Sequence, residues 1–135
     1  MSMNNHFMFD SDDFKPTPGE LDETHDDYIN PGIFALNLAD FLVEGLKTEG
    51  VAVKFRCQED WGHWMEVDHD GKFRLAIGCA NLDDGTHRFI VEARKPFFRG
   101  LLSKIEVEPH VENLIAAIIR VLERSGKARN IRAFE

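Results

Sequence analysis

Cysteine is scarce in this chain and long apolar runs are missing. Cys57 and Cys79 are the only cysteines among 135 residues. Two thiols do not make the disulfide framework of a small secreted domain, and they lie too far apart for a zinc-finger pair. No apolar run approaches the roughly 18 to 20 residues that span a bilayer. The opening residues Met1-Ser2-Met3-Asn4-Asn5-His6 lack the basic and apolar regions of a secretion signal. These absences predict a cytoplasmic protein with reduced thiols and no membrane contact. No Gly-rich phosphate loop, G-x-S-x-G elbow or His-Glu-x-x-His helix occurs either, so no cofactor is implied.

What is present is an uneven charge. The formal net charge is −8. Residues 1–30 carry eight acids against the single base Lys15, while the rest of the chain carries sixteen acids and fifteen bases. The sequence therefore divides into an acidic N-terminal segment, residues 1–29, and a nearly neutral domain over residues 30–135. Pro16, Pro18 and Gly19 interrupt the acidic segment and predict a solvated tail. Its apolar members Phe7, Met8, Phe9, Phe14 and Tyr28 are more than such a tail needs, and point to docking on the domain or on a second copy.

Asn30-Pro31-Gly32 has the chemistry of a helix start, and Phe34, Leu38, Phe41, Leu42 and Leu46 form one stripe up to Gly50. The expected helix runs over 31–49. Strands are predicted at about 51–57, on either side of His69-Asp70-Gly71, and at about 86–94 after an Asp83-Asp84-Gly85 turn. A three-residue hairpin loop pairing Met65 with Leu75 and Glu66 with Arg74 sorts apolar from charged side chains. Pro96 to Gly100 reads as a loop, and Leu101 to Val107 as a brief edge pairing. A second helix is expected over 109–125, and a short C-terminal strand over 129–134. The architecture predicted is α+β: helix, four-stranded antiparallel meander, helix, with both helices on one sheet face. Phe55, Met65, Leu75 and Phe89 are assigned to the covered face. Lys54, Arg56, Trp64, Glu66, Arg74, Arg88, Ile90, Glu92 and Arg94 are assigned to the open one.

Several constellations invite chemistry. Glu66 to Gly71 matches the first half of a calcium-binding EF-hand loop, but Ile77 stands where the bidentate glutamate belongs. His63, His69, His87, Cys57 and Cys79 lack the spacing of a zinc motif, and His63 and His69 point apart in the predicted register. Asp60, Trp61 and His63 could line a small enzymatic or metal-binding pocket; a tight acidic turn explains Asp60 as well. Trp61 and Trp64 beside arginines suggest single-strand nucleic-acid binding, against which the acidic balance argues.

Asn30-Pro31-Gly32 ahead of a Phe/Leu helix, with Glu59-Asp60-Trp61-Gly62 entering a hairpin, resembles small bacterial proteins that carry a Glu-Asp-Trp-Gly-Trp motif. Here His63 interrupts the Gly-Trp step. The resemblance spans about residues 30–95. It implies a compact α+β domain and bacterial origin, and brings no catalytic residues.

The residues offer binding surfaces rather than a reaction. The function expected is a small protein-interaction module, an adaptor or immunity-type binder. It would use the acidic segment and the sheet face formed by Trp64, Arg56, Arg74, Arg88 and Ile90, with Trp61 and His63 beside it. In this reading Phe7, Phe9 or Phe14 covers Trp64 and Ile90, and the partner is a protein or a second copy of the chain.

Overall fold

Alternating apolar and polar side chains build a sheet, and two amphipathic helices close one side of it. The computed structural model describes residues 5–83, 85–94 and 106–134. Among them six strands pair, all antiparallel: β1 (His6–Asp10), β2 (Val53–Glu59), β3 (Gly62–Val67), β4 (Arg74–Asn81), β5 (Thr86–Arg94) and β6 (Arg129–Ala133). Their order across the sheet is β2-β3-β4-β5-β1-β6. The helices are α1 (Leu36–Lys47) and α2 (Glu108–Ser125), and a single 3-10 turn covers Gly19–Leu21.

The class is α+β, but the four-stranded meander is corrected to a six-stranded sheet. The additional strands come from the two ends of the chain. Phe7 and Phe9 alternate with His6, Met8 and Asp10, so β1 sends two phenylalanines into the core and sits between β5 and β6. The short C-terminal strand is present as β6, and β1 is its partner. Asp10 and Asp12 pair with Arg132 and Arg129 of that strand, each at 3.3 Å. The N-terminal segment is thus part of the sheet. Phe9 and Phe14 lie in the helix-side core, which corrects the expectation that they shield Trp64 and Ile90.

The core lies between that sheet face and the helices. Leu38, Leu42 and Leu46 of α1 and Leu114, Ile118, Val121 and Leu122 of α2 meet Met65, Val67, Leu75, Ile77, Phe89 and Val91. Burying each such side chain contributes about 1.5–3 kcal/mol, so this interface dominates stability.

Three local departures from the sequence reading matter for the site. First, α1 starts at Leu36 rather than 31, because Gly32 adopts a left-handed φ of 78°. Residues 32–34 are instead held by Asn81, whose side chain donates to the Gly32 carbonyl at 2.8 Å and accepts the Phe34 N–H at 3.0 Å. The helix start is satisfied by the buried carboxylate of Glu20. Its Oε2 accepts the N–H groups of Ala35 and Leu36 at 2.8 and 3.0 Å, where the helix dipole favours negative charge.

Second, the β3–β4 register pairs Met65 with Ile77 and Val67 with Leu75, two residues beyond the expected pairing. The loop is wider because His69 braces it from within, with Nδ1 accepting the Gly71 N–H at 3.0 Å and Nε2 bonding the Phe73 carbonyl at 2.7 Å. A shift of two keeps every side chain on its predicted face. Third, the β2–β3 pairing shifts between Val53 and Phe55. That irregularity reverses the phase, so Phe55 sits opposite Glu66 and is 51% exposed, outside the core to which it was assigned. The reading of Pro96 to Gly100 as a loop lies outside the described residues, as do Asp84 and the part of the Leu101 to Val107 edge pairing up to Ile105; Glu106 and Val107, which are described, belong to no strand. The turn before β5 is carried by Asp83, whose Oδ1 accepts the Gly85 and Thr86 N–H groups.

Candidate functional site

Gly62 and Gly78 set up the arrangement of aromatics on the sheet face that neither described helix covers, the uncovered face in that sense. The turn from β2 to β3 passes so close to β4 that a Cβ on Gly62 would collide with the Cys79 carbonyl oxygen. That close passage lays Trp61 across the sheet. A Cβ on Gly78 would stand 2.6 Å from the Trp61 ring, so the bare backbone of β4 is the floor on which the indole rests. Trp64 occupies the same face one strand over, directly opposite Gly78, which in turn is opposite Ile90.

Each indole carries an arginine. The Arg88 guanidinium lies 5.6 Å from the Trp61 ring centre, and that of Arg94 lies 4.4 Å from the Trp64 ring centre. Such cation–π contact contributes about 0.5–1 kcal/mol at exposed sites. Trp64 also donates its indole N–H to Glu66 at 3.2 Å and is only 6% exposed. Between the two stacks lies a hollow of about 350 Å³ lined by Trp61, Trp64, Arg88, Ile90, Glu92 and Arg94. Arg74 is the direct cross-strand neighbour of Arg94. Like charges placed opposite one another repel, and the Glu92 carboxylate at 3.7 Å from Arg94 offsets only part of this.

Of the residues singled out from sequence, the fold brings Trp61, Trp64, Arg88 and Ile90 together, with Arg74 at one end. Arg56 and His63 are not with them. The reversed phase of β2 turns Arg56 to the helix side, where it forms a 2.8 Å ion pair with Asp40. His63 pairs with Cys79 on the covered face and is buried. Its Nε2 has no hydrogen-bond partner, and burial, reinforced by the Arg56 charge, lowers its pKa. Asp60 takes part through its backbone carbonyl, which accepts from the Asn30 amide at 2.8 Å. The pocket of Asp60, Trp61 and His63 is therefore not assembled, because Trp61 and His63 lie on opposite faces.

Cysteine chemistry finds no support. Burial pushes the Cys79 thiol up to about 12, and burial together with Glu59 raises that of Cys57. The histidines and cysteines considered for zinc do not converge. Among the described residues, the group of three whose ligand atoms lie within 4.8 Å of one another is His69, Asp70 and His110.

Gly78 and His110 were missed as site residues, whereas Glu92 and Arg94 were assigned to the open face without being counted among its binding residues. A glycine inside a strand pattern was a usable signal for close approach at Gly78. Glu92 and Arg94 share the period of Ile90, so they were within reach. Nothing in the spacing joins His110 to His69. Among the described residues no helix is long and apolar enough to cross a membrane. No family model, no curated protein and no solved structure matches the chain.

Proposed function

We propose that this protein is an interaction module that binds an acidic segment of a protein partner on its uncovered sheet face. The observation that carries the reading is the pair of guanidinium–indole stacks flanking the hollow around Ile90. An arginine already held over an indole loses less freedom when it bonds a carboxylate, so two of them make a preorganised receptor. Arg74, repelled by Arg94, gains most from an incoming anion. Ile90 and the indole edges supply the apolar contact that carboxylates alone lack. Glu66 and Glu92 on the same face disfavour a continuous phosphate backbone, which places nucleic acid behind an acidic peptide.

The test uses the full chain and a fluorescent probe peptide of glutamates around one phenylalanine. Binding is expected to weaken with added salt and to fall at least tenfold in the Arg88→Glu, Arg94→Glu double variant. Equal binding by wild type and double variant contradicts the reading. A single-stranded oligonucleotide that displaces the peptide at lower concentration replaces the protein partner with a nucleic acid. A dimer that light scattering detects in the wild type, and that is lost in the same variant, identifies the partner as a second copy.

A further inference from the structure

The β3–β4 hairpin loop and the first turn of α2 bring together three side chains that the sheet face does not use. We infer that His69, Asp70 and His110 form a binding site for a divalent transition-metal ion of the zinc type. Their ligand atoms all lie within 4.8 Å of one another. Zinc bonds of about 2.0–2.1 Å set neighbouring ligand atoms about 3.3 Å apart, so the loop needs to close by on the order of 1 Å. Asp70 is exposed in that loop, where its carboxylate can swing inward.

The surroundings of the two rings are those of metal ligands. The His69 Nδ1 accepts the Gly71 N–H, so this nitrogen carries the lone pair and Nε2 carries the proton given to the Phe73 carbonyl. An imidazole whose second nitrogen donates to a backbone carbonyl is the usual oriented form of a metal-binding histidine. Coordination through Nδ1 exchanges one hydrogen bond, that from Gly71, for the metal. The His110 ring stands edge-on to Phe73 with centroids 5.2 Å apart, and 5.4 Å from His69. Phe73 therefore fixes both rings, one through its carbonyl and one through its side chain.

Both histidines also line a hollow of about 230 Å³ backed by Val67, Leu75 and Leu114. Two imidazoles and one carboxylate leave a coordination position, and the hollow gives water or a small ligand room to fill it. Imidazole nitrogen selects zinc over calcium and magnesium, which prefer oxygen. A bound ion pins the hairpin loop to α2.

The competing explanation is that His69 merely braces its own loop and His110 merely packs on Phe73. Titration of the chelator-stripped full chain with zinc alone, by calorimetry and by thermal melting, separates the two. The site predicts one-to-one binding with a raised melting temperature, and no response to calcium or magnesium. His110→Ala leaves both loop bonds of His69 in place and is expected to weaken zinc binding at least tenfold, as is Asp70→Asn. A native circular-dichroism spectrum checks that each variant is folded, and His110→Asn serves if the alanine variant is not. The inference is overturned if zinc leaves the melting temperature unchanged. It is equally overturned if His110→Ala binds as tightly as wild type, or if binding is abolished by Cys57→Ser instead.

Discussion

Met65 and Trp64 are neighbours in β3 that point to opposite faces of one sheet, and their surroundings differ in kind. Met65 is fully buried in the apolar core that α1 and α2 close. Trp64 is nearly as inaccessible, yet it is bordered by a guanidinium, a carboxylate and a glycine. On the covered face the edge arginine Arg56 already has Asp40. The other face keeps Arg88 and Arg94 over aromatic rings beside a hollow, with Arg74 next to Arg94. Burial alone does not separate a core from a proposed binding face. The chemistry of what does the burying does.

Substitutions on the two faces should separate them most widely in stability. Leu42→Ala or Ile118→Ala removes a fully buried aliphatic group and is expected to cost about 3–4 kcal/mol in urea denaturation. Phe55→Ser, on the uncovered face, should cost less than about 1 kcal/mol. Equal costs would abolish the distinction between the faces. The next largest effect is expected at Glu20. Removing a buried carboxylate that accepts three N–H groups, from Thr17, Ala35 and Leu36, should cost about 2–3 kcal/mol for Glu20→Ala. Far-ultraviolet circular dichroism should show the helical signal melting earlier in that variant.

Gly78→Val probes the uncovered face alone. It should lift Trp61 off the sheet at a cost of about 1 kcal/mol, shift tryptophan fluorescence to the red and weaken binding of an acidic peptide. Unchanged fluorescence would mean that the indole does not rest on Gly78.

Acid probes the covered face more gently. His63 and His87 are both buried there, each with Nε2 unpartnered, and burial lowers both pKa values. His87 lies among Phe9, Phe14 and Phe34, with Asp10 and Asp83 only partly opposing the desolvation. Groups that resist protonation when folded take up protons on unfolding. The stability they confer is complete above the ordinary histidine value and declines as pH falls below about 6.5. Asp10 and Glu49, whose pKa values are lowered by hydrogen bonds to Asn130 and to Arg124 and Arg120, confer stability that is lost only at lower pH, below the ordinary carboxylate range. Melting temperatures should therefore fall between pH 7.5 and 5.5. A rise over that interval would contradict the neutral, buried state of both histidines.

Much of this was legible where a pattern is local. The stripes Leu38-Leu42-Leu46 and Leu114-Ile118-Val121 declare their helices, and the alternation around Phe89 and Val91 declares β5 and its faces. The same alternation put Trp64, Arg88 and Ile90 on one side. It failed at Phe55 and Arg56 because one irregular pairing step after Val53 reverses everything that follows it in β2, and no residue type announces such a step. β1 was hidden because Met8 between Phe7 and Phe9 blurs the alternation, and because its partners β5 and β6 lie far along the chain. Asn30-Pro31-Gly32 imitated a helix start, while the true one is satisfied by a glutamate sixteen residues earlier. His110 meets His69 only through the fold.

The central claim is that the uncovered face, and no other, receives an acidic partner. The most direct test is a nuclear magnetic resonance titration of the full chain with the glutamate–phenylalanine peptide, following the two indole N–H signals and the arginine Nε–H signals. The account predicts that Trp61, Trp64, Arg88 and Arg94 move together while the amides of α1 and α2 stay in place. Shifts confined to the helices or to Asp22 through Asp27, with both indole signals unmoved, would contradict it.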